Sequence, residues 1–264
     1  MTRTLVPLET LATYLDDYLR VGEIPDAPNA LNGLQAENSG HVGRVVAAVD
    51  ASLATIEGVG GEGTMPPALL LVHHGMFWEG HRPVTGRRYR KLRALLQRDL
   101  ALYAAHLPLD VHPEVGNNIV LARRLGLADC TPFGDYHGLA LGVAGAAPTG
   151  LRERDALVEV TARALGIAAE TIRVVPGGPD RIDRIGVITG AGGSMIGDAK
   201  LAGCEVLITG EGPAHSYFDA IELGVTVLYA GHYATETVGV QALGAHLAQR
   251  FGLPWEFHDH PTGM

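Results

Sequence analysis

Cysteine is scarce in this chain. Cys130 and Cys204 are the only two; they lie far apart and form no CxxC pair, so nothing here calls for a disulfide or a dithiol motif. Cys204 sits beside the apolar run Val206, Leu207 and Ile208 and reads as a small buried residue. Long apolar runs are also missing. The longest, near residues 68–72, falls far short of the roughly 20 residues that a membrane helix needs. The Met-Thr-Arg start has no apolar signal segment, so a cytoplasmic protein is expected. Positive charge is in deficit as well: 20 Lys and Arg stand against 29 Asp and Glu, a formal net charge of −9. Such a balance gives no bulk attraction for nucleic-acid phosphates, and neither nucleic acid nor membrane is an expected partner. The densest basic run, Arg87, Arg88, Arg90 and Lys91, reads as a solvated helix face. HExxH and GxSxG motifs are absent, and the Gly-rich stretch from Thr189 to Ser194 lacks the Lys of a P-loop and does not fit GxGxxG.

What is present is an ordinary globular composition, 47% hydrophobic and 19% charged over 264 residues, enough for one large domain or two small lobes. Leu8, Leu11, Leu15 and Leu19 recur at helical spacing after Pro7. A loop rich in Asn, Gly and Pro follows over residues 22–43. The first half then alternates: strands at 44–50 (RVVAAVD), 68–73 (ALLLVH) and 101–106, and helices at 51–59, 89–100 and 117–127. That rhythm predicts a mostly parallel sheet with helices packed on it. After a less regular middle (a strand at 138–146, a helix at 152–165, a short strand at 171–175) the rhythm returns. Strands are expected at 184–189, 204–209 and 225–230, and helices at 194–201, 215–223 and 237–251. RVVAAVD–helix–ALLLVHH is echoed by RIGVITG–helix–CEVLITGE, which fits two similar α/β lobes, residues 1–130 and 131–264, meeting between about residues 127 and 138.

Three His/carboxylate clusters follow three of these strands, at the carboxyl ends where α/β sheets gather their ligands. His73 and His74 end ALLLV; neighbouring imidazoles at a turn can serve two metal ions, although an incidental polar turn would look the same. His106 and Asp110 offer a neutral and an anionic group, or a packed His and a turn-capping Asp. His232 and Glu236, four apart after the turn at Gly231, share a helix face if a helix starts there; a dipole-favoured Glu is the alternative. Together these donors exceed what one ion with an open position needs. They point to two divalent ions per chain, with Zn, Fe, Mn, Co and Ni all compatible with mixed imidazole and carboxylate ligands. Two-metal sites polarise a substrate oxygen and activate water, so hydrolysis is the expected chemistry. His215, Glu211 and His106 are candidates for moving protons.

At these residues the sequence resembles the NGG-interacting-factor-three-like (NIF-three-like) family, whose members are often called GTP cyclohydrolase I type 2 homologues. The matching stretches are ALLLVHHGMF, YAAHLPLD, the GNN at 116–118, ITGEGPAH and AGHYATE, with RVVAAVD and the Asn-Gly-Leu-Gln at 32–35. The resemblance spans nearly the whole chain, and GHYATE is its most specific part. It implies two similar α/β lobes with a dinuclear metal site in the cleft between them. It implies metal ligands at His73, His74, Asp110, His232 and Glu236, and a homo-oligomer, often a hexameric ring. The chain is too short for the middle domain that longer members insert. It departs from the family at Gly75, where Pro is usual, and at Leu107 and Pro108, where Thr and Asn are usual. These positions would alter the wall of the site rather than its ligands. Two functions remain open: a metal-dependent hydrolase of a small polar or nucleotide-like substrate, and a metal-binding oligomeric scaffold or regulatory protein without turnover.

Overall fold

A computed structural model describes residues 4–59, 65–151 and 153–263. They form two compact units of mixed α/β structure, one drawn from Met1–Leu109 and Val240–His260, the other from Asp110–Gly239 and the last residues of the chain.

The first unit is built on a five-stranded sheet in the order Trp255–Phe257, Arg44–Asp50, Ala68–His74, Leu100–Ala104, Gly33–Ala36. All neighbours are parallel except Gly33–Ala36. Parallel strands are covered on both faces and therefore read as unbroken apolar runs; RVVAAV and ALLLV are such runs. Val46, Ala48, Leu70, Val72 and Leu102 face one side, where Ile56, Ala94 and Leu95 complete a core. On the strand Leu100–Ala104 the fully buried Tyr103 donates its hydroxyl to Asp16 of helix Leu8–Leu19 at 2.7 Å. Helix Gly86–Gln97 returns the chain from Ala68–His74 to Leu100–Ala104.

The second unit carries a six-stranded sheet in the order Ala128–Tyr136, Leu139–Ala146, Arg184–Ile188, Val206–Thr209, Thr226–Tyr229, Arg173–Pro176. The three strands from Arg184 to Tyr229 are mutually parallel, with an antiparallel hairpin on one side and Arg173–Pro176 on the other. Ile185, Val187, Val206, Ile208 and Leu228 pack with Leu121 and Leu157 on one face; Ile188, Leu207 and Val227 pack with Ile196 and Ala220 on the other.

Six of the parallel strands lie where the sequence rhythm predicts, and the seventh, Trp255–Phe257, was not expected. The partition of the chain is drawn differently from 1–130 and 131–264. Trp255–Phe257 adds itself beside Arg44–Asp50 and so belongs to the first sheet. Leu121 and Ala122 of helix Asn117–Arg124 lie in a core with Ile185 and Val206, which brings that helix into the second unit. Strands Gly33–Ala36 and His41–Val42 run through the stretch that reads as a loop, and Ala128–Tyr136 through the expected boundary between lobes. Ala128–Tyr136 is an edge strand, which is why it tolerates Pro132 and shows so little apolar alternation. The helix expected over residues 152–165 is Arg154–Leu165, and Arg152 itself lies outside the described residues. Helix His232–Phe251 starts five residues earlier than the 237–251 expected, taking His232 and Glu236 onto its first turns. Both cysteines are free thiols, and Cys204 is buried. Among the described residues no helix is long and apolar enough to cross a membrane.

Candidate metal-binding groups

In the first unit three strand ends lie side by side at the carboxyl edge of the sheet. Arg44–Asp50 ends at Asp50, in register with His74, and Leu100–Ala104 runs on into Ala105 and His106. His73, His74 and His106 converge there, each offering a ring nitrogen within 4.8 Å of the others'. Their ring centroids are 4.7, 5.0 and 5.7 Å apart. The other nitrogen of each ring is anchored. His73 Nδ1 donates to the Ala105 carbonyl at 2.9 Å. His74 Nδ1 meets Asp50 Oδ1 at 3.0 Å, and His106 Nδ1 meets Asp26 Oδ1 at 2.8 Å. With Nδ1 engaged on all three, Nε2 is the nitrogen each ring could offer to a metal ion, and the acceptors behind set tautomer and ring orientation as they do for metal-binding histidines.

The surrounding loops are tied to this arrangement by Asn32 and Gln35. The Asn32 amide donates to Asp26 Oδ2 at 2.8 Å, and its carbonyl oxygen accepts from the His106 backbone at 2.7 Å. Gln35 Oε1 accepts from the Met76 backbone at 2.8 Å. The Gln35 amide lies against Gly75 so closely that a Cβ there would collide with it, so Gly75 leaves room for this tether. Burial raises the Asp26 carboxyl pKa, but the hydrogen bond and charge of His106, with Asn32 and the Leu107 backbone, outweigh it and hold the carboxyl below its usual range. Trp78 stands edge-on to His106 and His74 at 4.9 and 5.9 Å.

The second unit repeats the construction with different chemistry. Its three parallel strands run on into Thr189–Gly190, Gly210–Glu211 and Gly231–His232. His232 Nδ1 meets Glu211 Oε1 at 2.8 Å, and Nε2 meets Glu236 Oε1 at 3.1 Å. The hydrogen bond to Glu236 is the largest cause lifting the His232 pKa; burial opposes it, and the charges of Glu236 and Glu211 and the Glu211 hydrogen bond add to it, leaving it at about 9. Glu236 is 2% exposed. A Cβ on Gly190, whose φ is +65°, would run into its carboxylate. Asp110 is buried and accepts from Asn117 Nδ2 at 2.8 Å and Thr189 Oγ1 at 3.4 Å. Asn117 in turn accepts from the Gly239 backbone at 2.7 Å.

Of the residues expected from sequence, His73, His74 and His106 come together in the first unit, and His232, Glu236 and Glu211 in the second. His106 sits among the imidazoles, and Glu211 orients His232. His215 lies exposed just before helix Ser216–Leu223, with no side-chain hydrogen bond to these groups among the described residues. The Gly-rich stretch is a tight turn whose N–H groups are used internally: Gly190 N donates to Thr235 Oγ1, Gly192 N to Thr209 Oγ1 and Gly193 N to the Glu211 carbonyl, each at 3.0 Å. Sequence reasoning missed Asp50, Asp26 and Trp78. Asp50 was open to the same strand-end argument as His74; Asp26, in an irregular loop, carried no signal.

A family model described as Duf34/NIF3 (NGG1p interacting factor 3) matches residues 7–262. A Deinococcus radiodurans protein named GTP cyclohydrolase 1 type 2 homolog is 45% identical over 257 residues, covering 97% of this chain and 94% of its own. A Pyrococcus abyssi protein of the same name is 40% identical over 256 residues, with coverage of 97% and 99%. Among solved structures, TTHA1606 from Thermus thermophilus superimposes with a TM-score of 0.83 at 39% identity, covering 98% of this chain and all (100%) of that one.

Proposed function

This chain belongs to the Duf34/NIF3 (NGG1p interacting factor 3) family, and on that premise we propose that it is a metal-dependent hydrolase of a small polar substrate. The observation that carries the reading is the convergence of three imidazoles with every Nδ1 held by a carbonyl or carboxylate. Three protein ligands leave a coordination position open, the pattern of catalytic rather than structural sites. A divalent ion there would polarise a substrate oxygen and make water nucleophilic near neutral pH. His73, His74 and His106 hold one ion; Asp110, His232 and Glu236 supply a mixed donor set for a second. In its finer form the proposal is two ions per chain acting as one dinuclear centre. Asp26, Asp50 and Glu211 then orient ligands, and His215 stands apart from the chemistry. Imidazole and carboxylate donors accept Zn, Fe, Mn, Co or Ni. The name carried by the relatives makes GTP the first substrate to try, with water adding to the purine ring and formate leaving. Two free thiols suit a reducing compartment, so the cytoplasm is the proposed setting. The test is turnover by metal-loaded protein, read as formate release from GTP and as product formation from a panel of small hydrolase substrates. Activity abolished in Asp110→Asn supports the reading; no turnover of any substrate by fully loaded protein contradicts it.

One observation favours the second reading, an oligomeric metal-binding scaffold. Leu201 is 89% exposed and Phe218 63% exposed, on helices Ile196–Leu201 and Ser216–Leu223 that pack on each other. Apolar side chains left on adjacent helices suit a contact between copies of the chain. Light scattering of Phe218→Glu against the parent tests it: a smaller assembly is expected, and an unchanged mass contradicts this contact.

A further inference from the structure

The loop that leaves the imidazole group leads into a cavity of different character. Its volume is about 470 Å³, and Glu79, Arg82, Pro83, Thr85, Arg87 and Arg88 line it. Three arginines face one carboxylate here, in a chain whose formal net charge is −9. The cavity also lies at the start of helix Gly86–Gln97, where Thr85 makes no side-chain cap and the first turn holds no acidic residue. Its partial positive charge therefore adds to the arginines.

Arg88 shows that this is more than a solvated basic face. Its guanidinium is buried, and its terminal nitrogens donate to the carbonyls of Arg82 and Gly80 at 2.8 and 2.9 Å. Its Nε is buried with no hydrogen-bond partner among the described residues. Trp78 Nε1, in the same loop, is a second buried donor in that condition. The two carbonyls hold the Arg88 guanidinium in place without neutralising its charge, which stays beside the cavity. Glu79 pairs with Arg87 and lies 3.8 Å from Arg88, as an internal carboxylate does when it holds the place of an external anion. The cavity's loop begins at the imidazoles. Trp78, which stands against His74 and His106, precedes Glu79 directly.

We propose that this cavity is a subsite for the phosphate group of a small phosphorylated molecule, bound by Arg82, Arg87 and Arg88. Three guanidinium groups against one carboxylate leave two positive charges, which match a phosphate dianion better than a monovalent carboxylate. The inference deepens the proposed hydrolase by naming its substrate as phosphorylated, and rests on that reading for its purpose but not for its test.

The experiment titrates inorganic pyrophosphate into the parent protein by calorimetry, as purified and after chelation. Arg82→Gln with Arg87→Gln, and Glu79→Gln, are measured alongside, with metal content determined on every sample. Arg82, Arg87 and Glu79 are exposed, so these changes leave the core untouched. In the chelated protein the arginine pair should weaken pyrophosphate binding by about tenfold or more, the loss of charge-assisted hydrogen bonds. Glu79→Gln should tighten it about threefold by removing the competing charge. Equal affinity in the parent and the arginine double variant, or no binding by the parent at millimolar pyrophosphate, overturns the subsite. Arginine-dependent binding in protein that takes up no metal would leave the subsite standing and sink the hydrolase reading instead.

Discussion

The two units place ligand-type side chains in the same way and arm them differently. In both, the carboxyl ends of adjacent parallel strands deliver the functional groups, as the geometry of α/β sheets favours. The first unit collects His73, His74 and His106, each with its Nδ1 held from behind by an acceptor. The second sets His232 between Glu211 and Glu236, and the carboxylates hold the imidazole in its charged form. One group has its tautomers set as a cation would need; in the other the raised pKa of His232 means that a cation would have to displace a proton. Shared architecture therefore does not imply shared metal affinity, and the first group should load at lower pH than the second.

The largest test of that contrast is to remove an imidazole. His106→Ala should weaken metal binding at the first group by more than about 100-fold, beyond the effect of losing an orienting partner. A chelator competition assay reads this directly. If His106 only moved protons, affinity would hold and only the pH–rate profile would change. Next in size, Asp26→Asn keeps the side-chain volume but loses the charge behind His106, and should cost about 10–100-fold in affinity at that group alone. Gly190→Ala forces a Cβ toward the Glu236 carboxylate at positive φ, and a loss of about 1–3 kcal/mol in unfolding free energy is expected from denaturant titration. The first group's metal affinity should be unaffected by it.

The smallest effect is a pH dependence. The folded pKa of His232 lies above its ordinary value of 6.5, at about 9. The stabilisation that its charge gives metal-free protein is thus fully present below about 6.5 and lost as pH rises through about 9. Melting temperatures across that range should show this loss in the parent and not in His232→Gln. Metal binding at the second group runs the opposite way, strengthening as the proton leaves. A flat profile in the parent would remove the contrast between the two groups.

Much of this was legible in the sequence, for reasons that particular residues show. RVVAAVD and ALLLVHH announce buried parallel strands because both faces must be apolar, and their polar ends mark where ligands gather. His73, His74, His232 and Glu236 were singled out that way. Edge strands left no such trace: Gly33–Ala36 and Ala128–Tyr136 pair on one side only, so nothing forces a continuous apolar run. The long-range pairing of Trp255–Phe257 with Arg44–Asp50 had no local signature at all, which is why the partition of the chain looked simpler than it is. Orienting groups were the hardest to read. Asp26 reaches His106 across 80 positions of sequence, and only the folded chain shows that loop residue behind the imidazole.

The central claim is best tested by elemental analysis of protein purified without added metal or chelator, with His74→Ala and Glu236→Ala prepared in parallel. The account predicts about two transition-metal ions per parent chain and about one in each variant. A parent chain that carries no metal, and takes none up on reconstitution, would contradict it.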